Sequence, residues 1–145
     1  MDIGKMMLRL KKVADELGLP LGERKKTYNS RLAQELAKWA ESKGRGDEFH
    51  DAVFRAYFVD GKNIGKREEL VGLATSIGLP AEEAQTTLQS RTFKDAVDSD
   101  WAKSHQMGIT AVPTFVIDKQ TVVGAQPYEV LEQFLKANGV KKRGN

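Results

Sequence analysis

Residues that favour β-strands are concentrated in one stretch near the end of the chain. The segment 109–117 is rich in β-branched and aromatic residues and predicts a strand that begins near Thr114. Residues 118–120 predict a tight turn, and residues 121–125 predict a second strand. The sequence predicts no other strand before this hairpin. Because a two-stranded hairpin is marginal in water, its edges need cover from elsewhere.

The rest of the sequence has the periodicity of amphipathic helices, with apolar residues at spacings of three and four. In the second helix Glu35 and Lys38 are expected to face outward. Trp39, and Trp101 in the sixth helix, fall on apolar faces and are expected in the core. The predicted helices cover residues 6–17, 32–40, 49–57, 66–77, 81–88, 92–107 and 128–135, with Asn29 or Ser30 capping the second and Asp47 capping the third. The fold class predicted from this order is α/β, mostly α.

Composition excludes several classes of protein. A chain of 145 residues fits one domain of ordinary size, and a hydrophobic share of 40% argues against disorder. No apolar run approaches the roughly 20 residues needed to cross a bilayer, and the opening segment carries charge throughout. We therefore expect no membrane span, no signal peptide and a cytoplasmic location.

Charge and cysteine content narrow the possible partners further. The net charge is +3, and much of the basic excess lies in Lys136 and the tail 141–143, so a nucleic-acid partner is not expected. The absence of cysteine excludes disulfides, thiolate metal sites and a thiol nucleophile within this sequence. Two histidines far apart are too few for a structural zinc site. The sequence therefore predicts no metal and no cofactor.

The end of the chain carries a family resemblance. Residues 108–117, followed by the hairpin, by Gly124-Ala125-Gln126-Pro127 and by a terminal helix, resemble the second half of a thioredoxin fold. They are most similar to DsbA-like oxidoreductases of the FrnE type. Residues 28–33, 56–58 and 63–64 resemble landmarks of the all-helical insertion in these proteins. The resemblance covers nearly the whole chain.

The resemblance implies an organisation in four segments. Residues 1–28 would be the lead-in helix and loop of the thioredoxin part, and residues 29–107 the all-helical insertion domain. Residues 108–140 would be the C-terminal ββα half of the thioredoxin fold with its cis-proline loop. Residues 141–145 would be a basic tail.

The same resemblance implies a substrate-binding site. The matching loop is Val112-Pro113-Thr114, in which the Val112–Pro113 bond is expected to be cis and to face the redox motif. The backbone of Val112 would pair with an extended substrate by β-augmentation. Asn29 and Gln126 match positions near glutathione in glutathione transferase kappa and 2-hydroxychromene-2-carboxylate isomerase. Asn29 is also a good helix cap, and those relatives carry Ser-Asp where this chain has the residues around Gln126.

The catalytic part of the family pattern does not occur in this sequence. The opening strand, the Cys-Pro-x-Cys motif and the next strand are missing. Disulfide exchange needs a thiolate whose pKa is lowered at a helix N-terminus, so this cysteine-free chain should be inactive and no catalytic residue is assigned. The interpretation is a fragment of a DsbA-like protein thiol-disulfide oxidoreductase, whose parent acts on a peptide or a thiol/disulfide substrate.

Two alternatives remain open. The chain could be a non-catalytic module that binds a peptide or assembles as a homo-oligomer, or a relative of the glutathione-dependent isomerases and transferases. The uncovered hairpin edge predicts a homodimer in either setting.

Overall fold

The computed structural model describes residues 2–144. Met1 and Asn145, the outer ends of the predicted lead-in segment and basic tail, lie outside these residues. Within residues 2–144 there are seven α-helices and one two-stranded sheet, which confirms a mostly helical α/β fold. In chain order the elements are α1 Ile3–Glu16, α2 Arg31–Ser42, α3 Gly46–Phe58, α4 Arg67–Ser76, α5 Ala81–Ser90, α6 Lys94–Gln106, β1 Thr114–Ile117, β2 Gln120–Val123 and α7 Tyr128–Ala137.

The chain divides into two compact units, one up to Asp98 and one from Ser99 onward. We call them the helical unit and the hairpin unit. The segment boundaries at residues 28, 107 and 140 that the resemblance implies stay a prediction.

The helical unit contains the buried core. Helix α2 is central because its apolar residues recur every three or four positions, so that one stripe meets α3, α4 and α5. Trp39 is buried, as predicted from the apolar face of this helix. The largest fully buried side chains here are Phe49, Leu36, Leu70, Leu88 and Val97.

The expectation that Glu35 faces outward is wrong. Its carboxylate is buried on α2 and accepts hydrogen bonds from Arg91 through Nε at 2.8 Å and Nη2 at 2.6 Å. Arg31 Nε donates a further bond of 2.9 Å to the same carboxylate. Helical spacing gave no sign of this partner, because Arg91 lies far along the chain, where it ends α5 in a left-handed conformation.

Two further expectations from the sequence are wrong. Helix α3 begins at Gly46 with Arg45 at the N-cap, so Asp47 lies in the first turn, where its carboxylate favours the positive end of the helix dipole. Trp101 is 48% exposed and does not belong to a buried core. Its spacing on α6 resembled an apolar face, yet α6 as a whole has few apolar residues to bury.

The hairpin unit contains the two strands. They pair antiparallel, with Thr114 opposite Val123 and Ile117 opposite Gln120. The turn is therefore two residues long, and Gln120 belongs to β2 rather than to the turn. Asp118 adopts a positive φ of 52°, which a short polar side chain tolerates in such turns. No helix within residues 2–144 has the length and apolar character needed to cross a membrane.

Candidate functional site

The candidate site is the loop of residues 108–113, which joins α6 to β1. Gly108 has a φ of +71°, a conformation that ends a helix, and its N–H donates to the carbonyl of His105 at 2.9 Å. The N–H of Ile109 reaches back to the carbonyl of Ser104 at 3.0 Å. The chain therefore leaves α6 abruptly, and the entry to the loop is fixed by the helix end.

The exit of the loop is fixed by the hairpin. The carbonyl of Pro113 accepts a 2.8 Å hydrogen bond from the N–H of Gly124, one residue beyond β2. The Thr114 hydroxyl donates to the carbonyl of Ala111 at 2.6 Å. The peptide bond between Val112 and Pro113 is cis. The loop is thus held at both ends while Val112 lies between the anchors.

Val112 is the most open apolar residue of the loop. It is 90% exposed. Among the described residues neither its N–H nor its C=O has a hydrogen-bond partner. A backbone donor and acceptor left free at the edge of a sheet can receive the backbone of another strand.

Gln126 lies at the same end of the hairpin. Its side-chain Nε2 donates to the carbonyl of Val123 at 2.9 Å, and its N–H donates to the carbonyl of Gly124 at 2.9 Å. These bonds close the turn that follows β2. The structure therefore brings Val112, Pro113 and Thr114 close to the segment of Gln126, and it gives the Gln126 amide nitrogen a local partner.

Asn29 belongs to the helical unit and lies just before α2. Its Oδ1 accepts a hydrogen bond from the N–H of Arg31 at 2.8 Å, where α2 begins. Its side chain thus takes an amide at the helix start, as predicted, although the N-cap residue itself is Ser30, whose side chain makes no capping bond. The backbone here is also tightly packed, because a Cβ placed on Gly65 would lie 3.3 Å from the Asn29 carbonyl oxygen.

A cavity of about 400 Å³, which is not predicted from the sequence, adjoins the loop. One wall is the end of α6, formed by Trp101, Ser104 and His105, and the other is residues 109–112. The three α6 residues are spaced so that they share one helix face, which is the signal that could have indicated it. Val112 is part of the lining of this cavity.

The groups that the loop presents are backbone and apolar groups. The sequence contains no cysteine, and in the described part of the chain no cluster of three or more acidic or histidine side chains could hold a metal ion. The loop offers a backbone donor and acceptor, an exposed valine and an apolar cavity. These are the groups that bind an extended peptide.

A mostly helical fold that ends in a ββα arrangement with a cis Val112–Pro113 bond is that of a thioredoxin-like protein. The model of the DSBA-like thioredoxin domain family matches residues 2–136. The chain belongs to this family.

Individual relatives agree with this assignment. The uncharacterised protein YwbO of Bacillus subtilis is 32% identical over 112 residues, which are 77% of this chain and 56% of that protein. The structure of a probable DsbA oxidoreductase from Streptomyces coelicolor has a TM-score of 0.77 and 32% identity, over 91% of this chain and 58% of that one. This chain therefore spans little more than half the length of these two relatives.

A more distant structure supports the fold alone. It is that of a candidate protein disulfide isomerase from Nitrosomonas europaea, with a TM-score of 0.64 and 18% identity. It covers 92% of this chain and 72% of that one.

Proposed function

We propose that this chain forms the substrate-side portion of a DsbA-like protein thiol-disulfide oxidoreductase. The observation that carries the proposal is the unpaired backbone of Val112, which lies beside Pro113 in a chain that belongs to the DSBA-like family. Gly124-Ala125-Gln126 supports the finer assignment to the FrnE type. A cytoplasmic location stays a prediction.

In this proposal the residues of the loop bind and orient the substrate. An extended peptide pairs with the N–H and C=O of Val112, and its neighbouring side chain enters the cavity lined by Trp101 and His105. In the parent chemistry a thiolate attacks one sulfur of a disulfide, a new disulfide forms, and the other sulfur leaves as a thiolate. The attacking thiol belongs to the Cys-Pro-x-Cys portion, so residues 1–145 contribute positioning only.

Peptide titration monitored by NMR tests the binding role of Val112. A reduced peptide with a central cysteine is expected to shift the amides of residues 111–114 and 123–126. Val112→Pro removes the N–H donor and should weaken binding about tenfold, the equivalent of one hydrogen bond. Val112→Ala keeps the backbone groups and should stay within about twofold. Equal affinities for both variants, or shifts confined to other residues, would contradict the proposal.

A disulfide-exchange assay tests whether this chain contributes substrate positioning without catalysing the exchange itself. The isolated chain should reduce a disulfide substrate no faster than the uncatalysed reaction, with a cysteine-containing oxidoreductase as the positive control. Turnover by the cysteine-free chain would overturn the proposed role.

The intact mass of the native protein and the DNA upstream of the Met1 codon test the parent assignment. A longer product with an in-frame Cys-x-x-Cys motif supports it. A native product of 16.1 kDa without such a motif contradicts it and favours a binding module.

The sheet edge favours homo-oligomeric assembly as a second candidate. In the described part of the chain β1 and β2 pair only with each other, so each has a free edge. The face formed by β1 with Leu131, Phe134 and Leu135 of α7 is apolar and encloses a cavity of about 430 Å³. Pairing of strand edges between two copies would cover unpaired backbone groups.

Light scattering at tens of micromolar protein tests this assembly. A dimer is expected, and Val123→Lys, which adds a charge to β2, should shift it towards monomer, whereas Lys119→Gln in the turn should not. A clean monomer in the unaltered chain would contradict the candidate. The glutathione-dependent alternative has less support, because those relatives carry Ser-Asp where this chain has the residues around Gln126.

A further inference from the structure

An open apolar groove of about 680 Å³ lies within the helical unit. Its lining residues fall between positions 7 and 59, so it shares no residue with the candidate loop of residues 108–113. One wall is α1, which contributes Met7, Leu10 and Val13, and the other is α3, which contributes Phe54 and Phe58. The segment 19–24 lies between the two walls. A groove of this size is within the range of small-molecule sites, which is roughly 300–1,000 Å³.

The α3 side of the groove is held in a fixed conformation. The N–H of Gly22 donates to the carbonyl of Phe58 at 2.8 Å. A Cβ at Gly22 would lie 2.0 Å from the carbonyl oxygen of Val59, so the segment is in direct contact with the end of α3. The groove is therefore preformed on this side.

Arg24 gives the groove a cationic end. Its Cζ lies 4.3 Å from the ring centroid of Tyr57 and 5.5 Å from that of Phe58. Its Nη2 contacts the sulfur of Met7 at 4.0 Å. Among the described residues no carboxylate pairs with this guanidinium, which is held by aromatic faces and retains free donors.

The charged residues that line the groove have a net positive charge. Arg55 and Asp51 both line the groove, so that with Arg24 there are two cations and one acid. A neutral apolar ligand would leave the guanidinium of Arg24 without a counter-charge. A peptide would bring backbone groups that the apolar walls cannot pair.

We propose that this groove binds an amphiphilic anion, an alkyl chain with a carboxylate or similar acidic head. The alkyl chain lies between α1 and α3 along Leu10 and Phe54. The acidic head accepts hydrogen bonds from Arg24, whose planar donors match a carboxylate. This inference is independent of the proposed oxidoreductase role.

Calorimetric titration with dodecanoate below its micelle concentration tests the proposal. Dodecanoate should bind more tightly than dodecanol or dodecyltrimethylammonium, because only the anion pairs with Arg24. Arg24→Gln should weaken dodecanoate binding about tenfold, as expected for the loss of one charge-assisted interaction. Arg9→Gln, which removes an exposed cation of α1 outside the groove, is the matched control and should change binding less than twofold.

The source of the acidic head is distinguished in a second arm with phosphatidylglycerol vesicles. Co-sedimentation that Arg24→Gln abolishes identifies a lipid headgroup, whereas binding of dodecanoate without vesicle binding identifies a free acid. Absence of dodecanoate binding, equal binding of all three probes, or equal loss in both arginine variants overturns the proposal. Far-UV circular dichroism of each variant checks that the helices are retained. If Arg24→Gln loses helix, Arg24→Lys replaces it as the test variant, and because it keeps the positive charge it should bind dodecanoate more tightly than Arg24→Gln does.

Discussion

The carboxylate of Glu35 lies between two guanidinium groups, with its side chain only 3% exposed. Arg91 and Arg31 together donate three hydrogen bonds to it. Burying a carboxylate is expensive unless it is paired in this way. The arrangement connects α2 to Arg91, the residue that ends α5, and so stabilises the packing of these two helices. The apolar spacing within either helix does not predict this contact.

Replacement of Glu35 should therefore destabilise the helical unit. Glu35→Gln retains the shape but removes the charge that both arginines face, and we expect a loss of about 2 kcal/mol of unfolding free energy, less than for a fully enclosed pair because the arginines reach solvent. Glu16→Gln breaks the exposed pair with Lys12 and should cost less than about 0.5 kcal/mol. Urea unfolding followed by circular dichroism measures both. Equal losses in the two variants would contradict a special role for the buried pair.

The same carboxylate predicts a pH dependence of stability. Hydrogen bonding from Arg91 lowers the pKa of Glu35 below its ordinary value of 4.5, although burial opposes this shift. Lys94 and Arg31 likewise lower the pKa of Asp98 below 3.8. The unfolded chain then binds more protons than the native one in acid, so this stabilisation is complete above the ordinary values and is lost as the pH falls through the lower native values.

The free energy of unfolding measured between pH 7 and pH 3 checks the direction of this pH dependence. The unaltered chain should lose stability below about pH 4.5, and Glu35→Gln should lose less over the same range because the group that titrates is gone. A Glu35→Gln profile with the same slope as the unaltered chain would assign the acid sensitivity to other carboxyl groups.

At the scale of elements, the contact between segment 19–24 and the end of α3 depends on a residue without a side chain. A methyl group at Gly22 would overlap the carbonyl of Val59. Gly72 lies exposed in the interior of α4, and a methyl group there would have no heavy atom within 4 Å outside its own helix backbone and chain neighbours. The two glycines therefore form a matched pair for the same substitution.

Opposite effects are expected from the two substitutions. Gly22→Ala should destabilise the protein by about 1–3 kcal/mol because backbone must move, whereas Gly72→Ala should stabilise it by about 0.5–1 kcal/mol through helix propensity. Thermal unfolding monitored by circular dichroism gives both shifts. A stable Gly22→Ala variant would show that the segment can detach from α3 at little cost.

Local patterns could predict most elements but not the contacts between distant ones. The helices and the hairpin follow from apolar spacing and β-branched residues near Thr114, which act over a few positions. The burial of Glu35 could not be predicted, because it depends on Arg91, 56 residues further along the chain. The cavity beside Val112 likewise needs α6 and the loop together.

At the scale of the whole molecule, burial is divided unequally between the two units. The fully buried side chains lie in the helical unit. In the hairpin unit none of the described residues, 99–144, is buried. A two-stranded sheet with α7 and the last two turns of α6 is only marginally stable when so little apolar surface is removed from water. We therefore propose that a further partner stabilises the hairpin unit, either the other thioredoxin strands of a longer protein or a second copy.

Hydrogen exchange of the dilute chain measures this difference directly. Amides of α2 should exchange only on global unfolding, whereas amides of β1 and β2 should exchange at least about 100-fold faster, because their opening exposes little new apolar surface. If a second copy covers the sheet edge, protection of β1 and β2 should rise with protein concentration while that of α2 stays constant. Equal protection of strands and α2 at low concentration would show that the hairpin unit is stable by itself.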